Sequence, residues 1–216
     1  MSYARLFAVD PSLTASGWAV FSLKNCMPQA WGVVSPPGPG HALEYRLAVL
    51  QESVADIFGN FSLDESDILV CEGPAPLVKN PISSLKVERV RSIFEAVART
   101  RGVTVPGRLN PRTVQTELLG MRGKQLERKD VKAWAREVAA RLYGDLISQE
   151  KKLSQDIVDA LLIGSLAVAR VNFALRSSIA LADAFTEKGG SNSSRGNVRG
   201  RIRWSEADYK RALNQD

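Results

Sequence analysis

Apolar and polar positions alternate in short runs over the first part of the chain and recur at helical spacing over most of the rest. The runs RLFAVD, GWAVFSL and AWGVVS have the composition and period of short strands. Because only short links separate them, we expect three sequential strands in an antiparallel meander. After the break SPPGPG, the apolar residues from Leu43 to Ile57 recur at helical spacing and predict a helix over 42–58.

The remaining pattern alternates strands with helices and then continues as helices only. DILVCE predicts a strand that ends in Glu72, GVTVPG predicts a further short strand, and an amphipathic helix is predicted between them over about 82–100. Asn110, Asp130 and Ser154 stand at positions typical of N-caps for three later helices. A helix between successive strands requires crossover connections, so the predicted fold class is α/β, with a mixed sheet flanked by helices.

Length and composition limit the class of protein. The chain has 216 residues, of which 44% are hydrophobic and 24% charged, as expected for one globular domain with a tail. Residues 191–203 carry four arginines and no acid, so we expect a globular domain over 1–184 and a flexible basic tail over 185–216. Two cysteines, an opening stretch without secretory features and no long apolar run favour the cytoplasm and no membrane partner.

Charge is distributed unevenly along the chain. The formal net charge is +6, but residues 1–78 have 3 basic and 8 acidic side chains, whereas residues 79–141 have 15 basic and 6 acidic. This asymmetry suggests that a polyanion docks near an acidic site. On charge alone, a basic surface that only keeps the protein soluble is an equally good interpretation.

Four acidic residues are notable for their positions. Asp10 and Glu72 each end a predicted strand directly before a turn, and Asp156 and Asp159 share one face of a helix that is otherwise apolar. Carboxylates at the start of a buried helix are costly unless a cation neutralises them, and hard oxygen ligands favour Mg²⁺ or Mn²⁺. Alternatively, Asp10 starts a turn, Glu72 bonds the main chain of its own turn or pairs with Lys79, and the helical acids complement the macrodipole. Together the four acids predict a metal-dependent phosphoester site on a nucleic-acid-binding domain.

Four stretches of the sequence resemble motifs of the RuvC-type Holliday-junction resolvases, which belong to the RNase H-like superfamily. FAVDPSLTASGWAV resembles the first-strand motif of the family, and ILVCEGPAPLVKN resembles its second motif. PRTVQTELLG with the basic loop and KDV resembles its third region, and SQDIVDALLIGSLAVA resembles its closing helix. The similarity covers roughly residues 4–173 in the same order. It implies an RNase H-like five-stranded mixed sheet flanked by helices.

The resemblance also implies a site and an activity. Carried over position by position, it makes Asp10, Glu72, Asp156 and Asp159 the catalytic acids, which would bind two Mg²⁺ ions, with Mn²⁺ as a substitute. Lys129 would lie near the scissile phosphate, and Lys124 is the alternative in the same loop. The implied activity is that of an Mg-dependent crossover junction endodeoxyribonuclease, which makes paired nicks as a homodimer. Its partners would be four-way junctions or other branched DNA, such as three-way junctions, forks or flaps.

Other residues are candidates for binding DNA or a second copy of the chain. The basic candidates for phosphate contact, each of which is alternatively an ordinary solvated charge, are Lys79, Lys86, Arg89, Arg91, Arg122, Lys124, Arg128, Arg199, Arg201 and Arg203. Trp204 suggests that the tail stacks on a base. The dimer contact is expected on the apolar face of the helix that starts at Ile82, and packing of this face on its own sheet is the alternative.

Two positions depart from the family pattern. Ala75 stands where the family has an aromatic residue that wedges into the junction, and Gln115 stands where it has a basic residue. These departures and the tail favour a divergent member, such as one from a bacteriophage or a mobile element. Two other functions stay open: a protein that binds junctions without cutting them, and an ATP-binding domain of the actin-like or sugar-kinase type. The latter needs two such domains, and the chain has the length of one.

Overall fold

A five-stranded mixed sheet forms the centre of the computed structural model, which describes residues 3–74, 81–121, 127–147 and 153–186. Its strands are β1 (Arg5–Asp10), β2 (Ser16–Ser22), β3 (Pro28–Val34), β4 (Asp67–Glu72) and β5 (Arg108–Leu109), in the spatial order β3-β2-β1-β4-β5. The first three strands form an antiparallel meander, and β4 and β5 add to it in parallel. The predicted fold class and the predicted mixed sheet are therefore confirmed.

Helices cover both faces of this sheet. They are α1 (Leu43–Asn60), α2 (Pro81–Thr100), α3 (Pro111–Glu117), α4 (Arg128–Ile147), α5 (Gln155–Arg176) and α6 (Leu181–Phe185). Alternation along β1 explains the two layers, because Phe7 faces a hydrophobic cluster with α1 and α2, whereas Leu6 and Ala8 face one with α4 and α5. The core therefore lies on both sides of the sheet.

The helix α5 packs closely across the sheet because glycines remove side chains from the contact. A Cβ atom on Gly164 would lie 2.1 Å from the ring of Phe21 on β2, so any larger residue there would displace that ring. Among the described helices, α5 is long and apolar enough to cross a bilayer, yet 78% of its apolar window is buried inside the protein. Its apolar composition therefore reflects its place in the core.

One predicted strand and one predicted helix start differ from the structure. The strand predicted from GVTVPG is not formed there: Thr104 makes only an isolated bridge to Ile68 of β4, and regular pairing begins at Arg108, after Pro106, which has no N–H group to donate to the ladder. The helix α4 begins at Arg128, so Asp130 lies inside its first turn and does not cap it. The predicted caps Asn110 and Ser154 are confirmed, since each side chain accepts a hydrogen bond from a main-chain N–H in the first turn of its helix.

Candidate active site

The ends of two neighbouring strands and the start of one helix bring four carboxylates together. Asp10 ends β1 and Glu72 ends β4, and because these strands are parallel neighbours, both acids reach the same edge of the sheet. On the other side of β1, Gly17 of β2 lies opposite Asp10 and against the first turn of α5. A Cβ atom on Gly17 would lie 1.9 Å from the carbonyl oxygen of Asp156. The missing side chain of Gly17 thus lets α5 bring Asp156 and Asp159 to this edge.

The carboxyl groups of Asp10 and Glu72 form a hydrogen-bonded pair. Burial and the charges of Asp159 and Asp156 raise the pKa of Asp10 to about 7, although its hydrogen bond with Glu72 opposes the shift. Burial and the charges of Asp10 and Asp159 raise the pKa of Glu72 well above its ordinary value. The positive charge of Arg91 opposes both shifts without cancelling them. At neutral pH, and with no cation bound, the pair therefore shares a proton.

Asp159 lies among groups of both signs. Burial raises its pKa, and the charge of Asp156 acts in the same direction. The side-chain amide of Gln155 donates a hydrogen bond of 2.9 Å to Oδ1 of Asp159 and opposes the shift, as do the charges of Lys132 and Arg136 on α4. Asp159 is thus oriented from its own helix and partly neutralised from the neighbouring one.

The chemistry of these donors fits a hard divalent cation. Within the described parts of the chain, no three acidic, histidine or cysteine side chains are already placed to hold one metal ion together. However, the carboxylates repel one another, and Gln155 has a buried Oε1 atom without a hydrogen-bond partner beside Asp159. A cation such as Mg²⁺ or Mn²⁺ would replace the shared proton and relieve this repulsion. The main chain already brings the elements that carry these acids to one edge of the sheet.

Two arginines that the sequence interpretation missed fix the main chain around the acids. Arg46 of α1 is buried and donates a hydrogen bond of 2.8 Å to the carbonyl oxygen of Leu13, in the turn that follows Asp10. Arg136 of α4 donates one of 2.9 Å to the carbonyl oxygen of Leu153, directly before α5. The available signal for Arg46 was its place on the apolar face of a predicted helix.

Arg91 was predicted to contact DNA, but the structure buries its side chain. Its side chain is only 2% exposed, because it lies on the side of α2 that faces the sheet. Its Nε atom donates a hydrogen bond of 2.5 Å to the carbonyl oxygen of Glu72, and another guanidinium nitrogen forms an ion pair with Glu88. Arg91 therefore supports the main chain at the end of β4 from within the core, with its donors directed at Glu72 and Glu88.

No protein-family model matches the chain, and no curated protein matches it. Among solved structures, RuvC from T. thermophilus in complex with a Holliday junction substrate is similar, with a TM-score of 0.58 and 18% identity. The match covers 81% of this chain and 96% of that one. The chain has the fold of the RuvC resolvases. A second RuvC structure from Thermus thermophilus agrees, with a TM-score of 0.57 at 18% identity and the same coverage of 81% and 96%.

This similarity confirms the RNase H-like architecture expected from the sequence resemblance. In this chain, the four acids lie at one edge of the sheet. Lys129 lies in the first turn of α4 and is exposed, in place of the predicted loop. Lys132, one turn further along, is the lysine whose charge lowers the pKa of Asp159, although it was not predicted. The placement of Lys129 at a phosphate stays a prediction.

The remaining DNA-binding candidates are divided between the surface of the RuvC fold and parts of the chain outside the description. Lys86 and Arg89 are exposed on α2. The side chain of Arg128 lies outside the described residues, as do Ala75, Trp204 and the predicted contacts Lys79, Arg122, Lys124, Arg199, Arg201 and Arg203. Their roles stay predictions.

The predicted dimer face on α2 divides into two halves in this RuvC fold. Val90, Phe94 and Val97 are buried in the protein's own core, as the alternative interpretation proposed. Ile82 and Leu85, in the first two turns, are 66% and 65% exposed. Of the apolar residues predicted for the dimer contact, Ile82 and Leu85 are therefore the ones that are exposed.

Proposed function

We propose that the protein is an Mg-dependent endonuclease that hydrolyses phosphodiester bonds in four-way junctions or other branched DNA. The observation that carries this proposal is the meeting of carboxylates from β1, β4 and the first turn of α5 at one edge of a RuvC fold. Branched DNA is the proposed partner because a structure with this fold is described in complex with a Holliday junction substrate.

The acids Asp10, Glu72, Asp156 and Asp159 would hold two Mg²⁺ ions, or Mn²⁺ in their place. When bound, such ions activate a water for attack and stabilise the leaving oxygen. Asp10 and Glu72 would hold the ions as deprotonated carboxylates, and the Gln155 amide would fix one oxygen of Asp159 through its hydrogen bond. The charge of Lys132 lies near Asp159, where it can also attract the DNA phosphate.

Basic side chains away from the acids would supply most of the affinity for DNA. Lys86 and Arg89 project from the exposed part of α2, and the basic segment 191–203 extends the positive charge. Because each protomer has one site, two symmetric nicks in a four-way junction require two protomers. We therefore propose a homodimer, with Ile82 and Leu85 in the contact between copies.

The decisive experiment compares cleavage of synthetic four-way, three-way, flap and linear duplex DNA by the wild type, Asp10→Asn and Glu72→Gln. We expect the wild type to cut branched substrates only with Mg²⁺ or Mn²⁺. Each variant should lose at least about a thousandfold in rate, since each removes a ligand charge, while junction binding stays within about twofold because basic residues provide it. Arg141→Gln, which alters an exposed arginine on α4, is the matched control and should cut normally.

Two results would contradict the proposal in different ways. Cleavage by Asp10→Asn near the wild-type rate would exclude the carboxylate site. Tight junction binding by the wild type without cleavage at any concentration of Mg²⁺ or Mn²⁺ would instead identify a protein that only binds junctions.

A further inference from the structure

Arg91 is a permanently charged side chain in a place where charge is costly. It is only 2% exposed and is the largest of the most deeply buried side chains in the described residues. Because an arginine cannot release its proton, it is retained in such a place only where partners satisfy its donors. Its partners are the main-chain oxygen of Glu72, 2.5 Å from Nε, and the carboxylate of Glu88.

A network of alternating charges holds Arg91 in place from behind. The other carboxylate oxygen of Glu88 accepts a hydrogen bond of 2.7 Å from Arg108 on β5. Arg108 in turn donates two hydrogen bonds to Glu95, at 2.6 and 3.0 Å, and Glu95 lies on α2 with Glu88 and Arg91. The guanidinium of Arg91 is thus held by Glu72 on one side and by Glu88 on the other. This restricts where it can contact Glu72.

The contact with Glu72 comes at the last residue of β4, where the sheet stops supporting the chain. Beyond it, the N–H group of Gly73 still donates a hydrogen bond of 2.7 Å to the carbonyl oxygen of Leu109. The carbonyl oxygen of Glu72 points the other way, toward Arg91. Fixing this peptide group fixes the direction in which the Glu72 side chain leaves the main chain toward Asp10.

We propose that Arg91 is a positioning residue, which holds the main chain of Glu72 so that its carboxylate and that of Asp10 can bind the same metal ion. This inference rests on the proposed function and deepens it. It assigns Arg91 to the affinity of the site for metal and removes it from the DNA interface. Arg91 donates its hydrogen bond to the main-chain oxygen of Glu72 and not to a carboxylate of the site, so this positioning effect passes through Glu72.

The test measures Mn²⁺ binding to the full-length protein without DNA by calorimetry, together with single-turnover cleavage of a four-way junction at increasing Mg²⁺. Arg91→Met should weaken Mn²⁺ binding by about 10–100-fold, the range for residues that orient metal ligands. Saturating Mg²⁺ should restore most of the cleavage rate, because the ligands themselves remain. The Mn²⁺ affinity of Arg91→Lys should lie between those of the wild type and Arg91→Met. Its ammonium group keeps the charge but cannot contact Glu72 and Glu88 with the planar geometry of a guanidinium.

Controls separate positioning from general stability. Arg99→Met removes an arginine from the same helix whose side chain is 58% exposed and makes only a 3.6 Å ion pair, and it should bind Mn²⁺ like the wild type. If Arg91→Met fails to fold, Glu88→Gln leaves Arg91 present but loosens it, and a severalfold loss of Mn²⁺ affinity is expected.

The outcomes distinguish this inference from the proposed function. Folded Arg91→Met, or Glu88→Gln where that variant is needed, with wild-type Mn²⁺ affinity would overturn the positioning role alone. Loss of junction binding by Arg91→Met with Mn²⁺ affinity intact would also overturn it, in favour of a DNA contact. A wild type that neither binds Mn²⁺ nor cuts DNA would overturn both proposals.

Discussion

The shared proton of Asp10 and Glu72 should make the stability of the metal-free protein depend on pH. Both pKa values are raised in the folded state, that of Asp10 to about 7, so the folded state binds more protons than the unfolded chain above about pH 4. The free energy of unfolding should therefore fall as pH rises toward and through about 7. We expect the Tm in EDTA to drop between about pH 5 and about pH 8, by calorimetry.

Two comparisons assign this pH dependence to the site. Asp10→Asn should flatten it, because the variant removes one of the two groups that share the proton. Mg²⁺ should raise the Tm more at about pH 8 than at about pH 5, since the ion and the proton compete for the same oxygens. A metal-free Tm that is the same throughout this range would contradict the shared proton.

Individual residues differ in how far their roles could be predicted from sequence. Asp10 and Glu72 could be predicted as site residues because each ends an apolar strand before a turn. The structure places both at those strand ends. The burial of Arg91 could not be predicted, because the rotation of α2 about its axis decides which of its side chains face the sheet. Gln155 and Lys132 were missed for a related reason: their importance comes only from where Asp159 lies.

At the scale of elements, the approach of α5 to β2 determines where half of the carboxylates lie. Gly17→Ala would put a Cβ atom 1.9 Å from the Asp156 carbonyl oxygen, so the first turn of α5 must move away from the end of β1. We expect cleavage to fall by about a hundredfold, as misplacement by about 1 Å commonly produces. Overpacking should also lower the free energy of unfolding by about 1–3 kcal/mol.

Gly164→Ala is the matched control for this prediction. Its Cβ atom would lie 2.1 Å from the Phe21 ring, so it disturbs the same helix and the same strand, but in the middle of the contact. It should lower the Tm to a similar extent, while folded molecules keep most of their cleavage rate. Equal losses of activity in both variants, measured well below both Tm values, would show that the first turn of α5 has no special role.

Elements were predicted correctly where the chain carries its own local signal. The hydroxyl of Ser154 caps α5 as expected, because a capping side chain needs only its own helix. The end of the sheet was predicted less well, because pairing of β5 depends on β4, which is distant in sequence. The extra residue between Thr104 and Arg108, relative to the partner strand, could not be read from GVTVPG alone.

At the scale of the whole molecule, both layers of helices support the same edge of the sheet. Arg46 of α1 and Arg91 of α2 come from one face, and Arg136 of α4 comes from the other. Each donates to a main-chain oxygen at or just beyond the end of an element that carries a carboxylate. The acids repel one another, so without such anchors the elements that carry them would tend to separate. The fold thus holds the elements that carry the acids together by fixing their main chains.

The proposed homodimer depends on the exposed start of α2. Ile82 and Leu85 are 66% and 65% exposed, and a two-fold contact would bury each of them twice. Burial of such side chains contributes about 1.5–3 kcal/mol each, so the double variant Ile82→Glu, Leu85→Glu should weaken self-association by at least about a hundredfold. Sedimentation velocity measures this directly, and each variant protomer keeps its acids.

The monomeric variant should also change the products formed from a four-way junction. One site can make only one nick at a time, so singly nicked junctions should accumulate, whereas the wild type should make paired nicks before release. Leu146→Glu, at another exposed apolar residue on α4, should leave both association and paired nicking unchanged. If the double variant sediments like the wild type, or if a monomeric variant still makes paired nicks, the contact between copies does not lie at the start of α2 or is not needed for resolution.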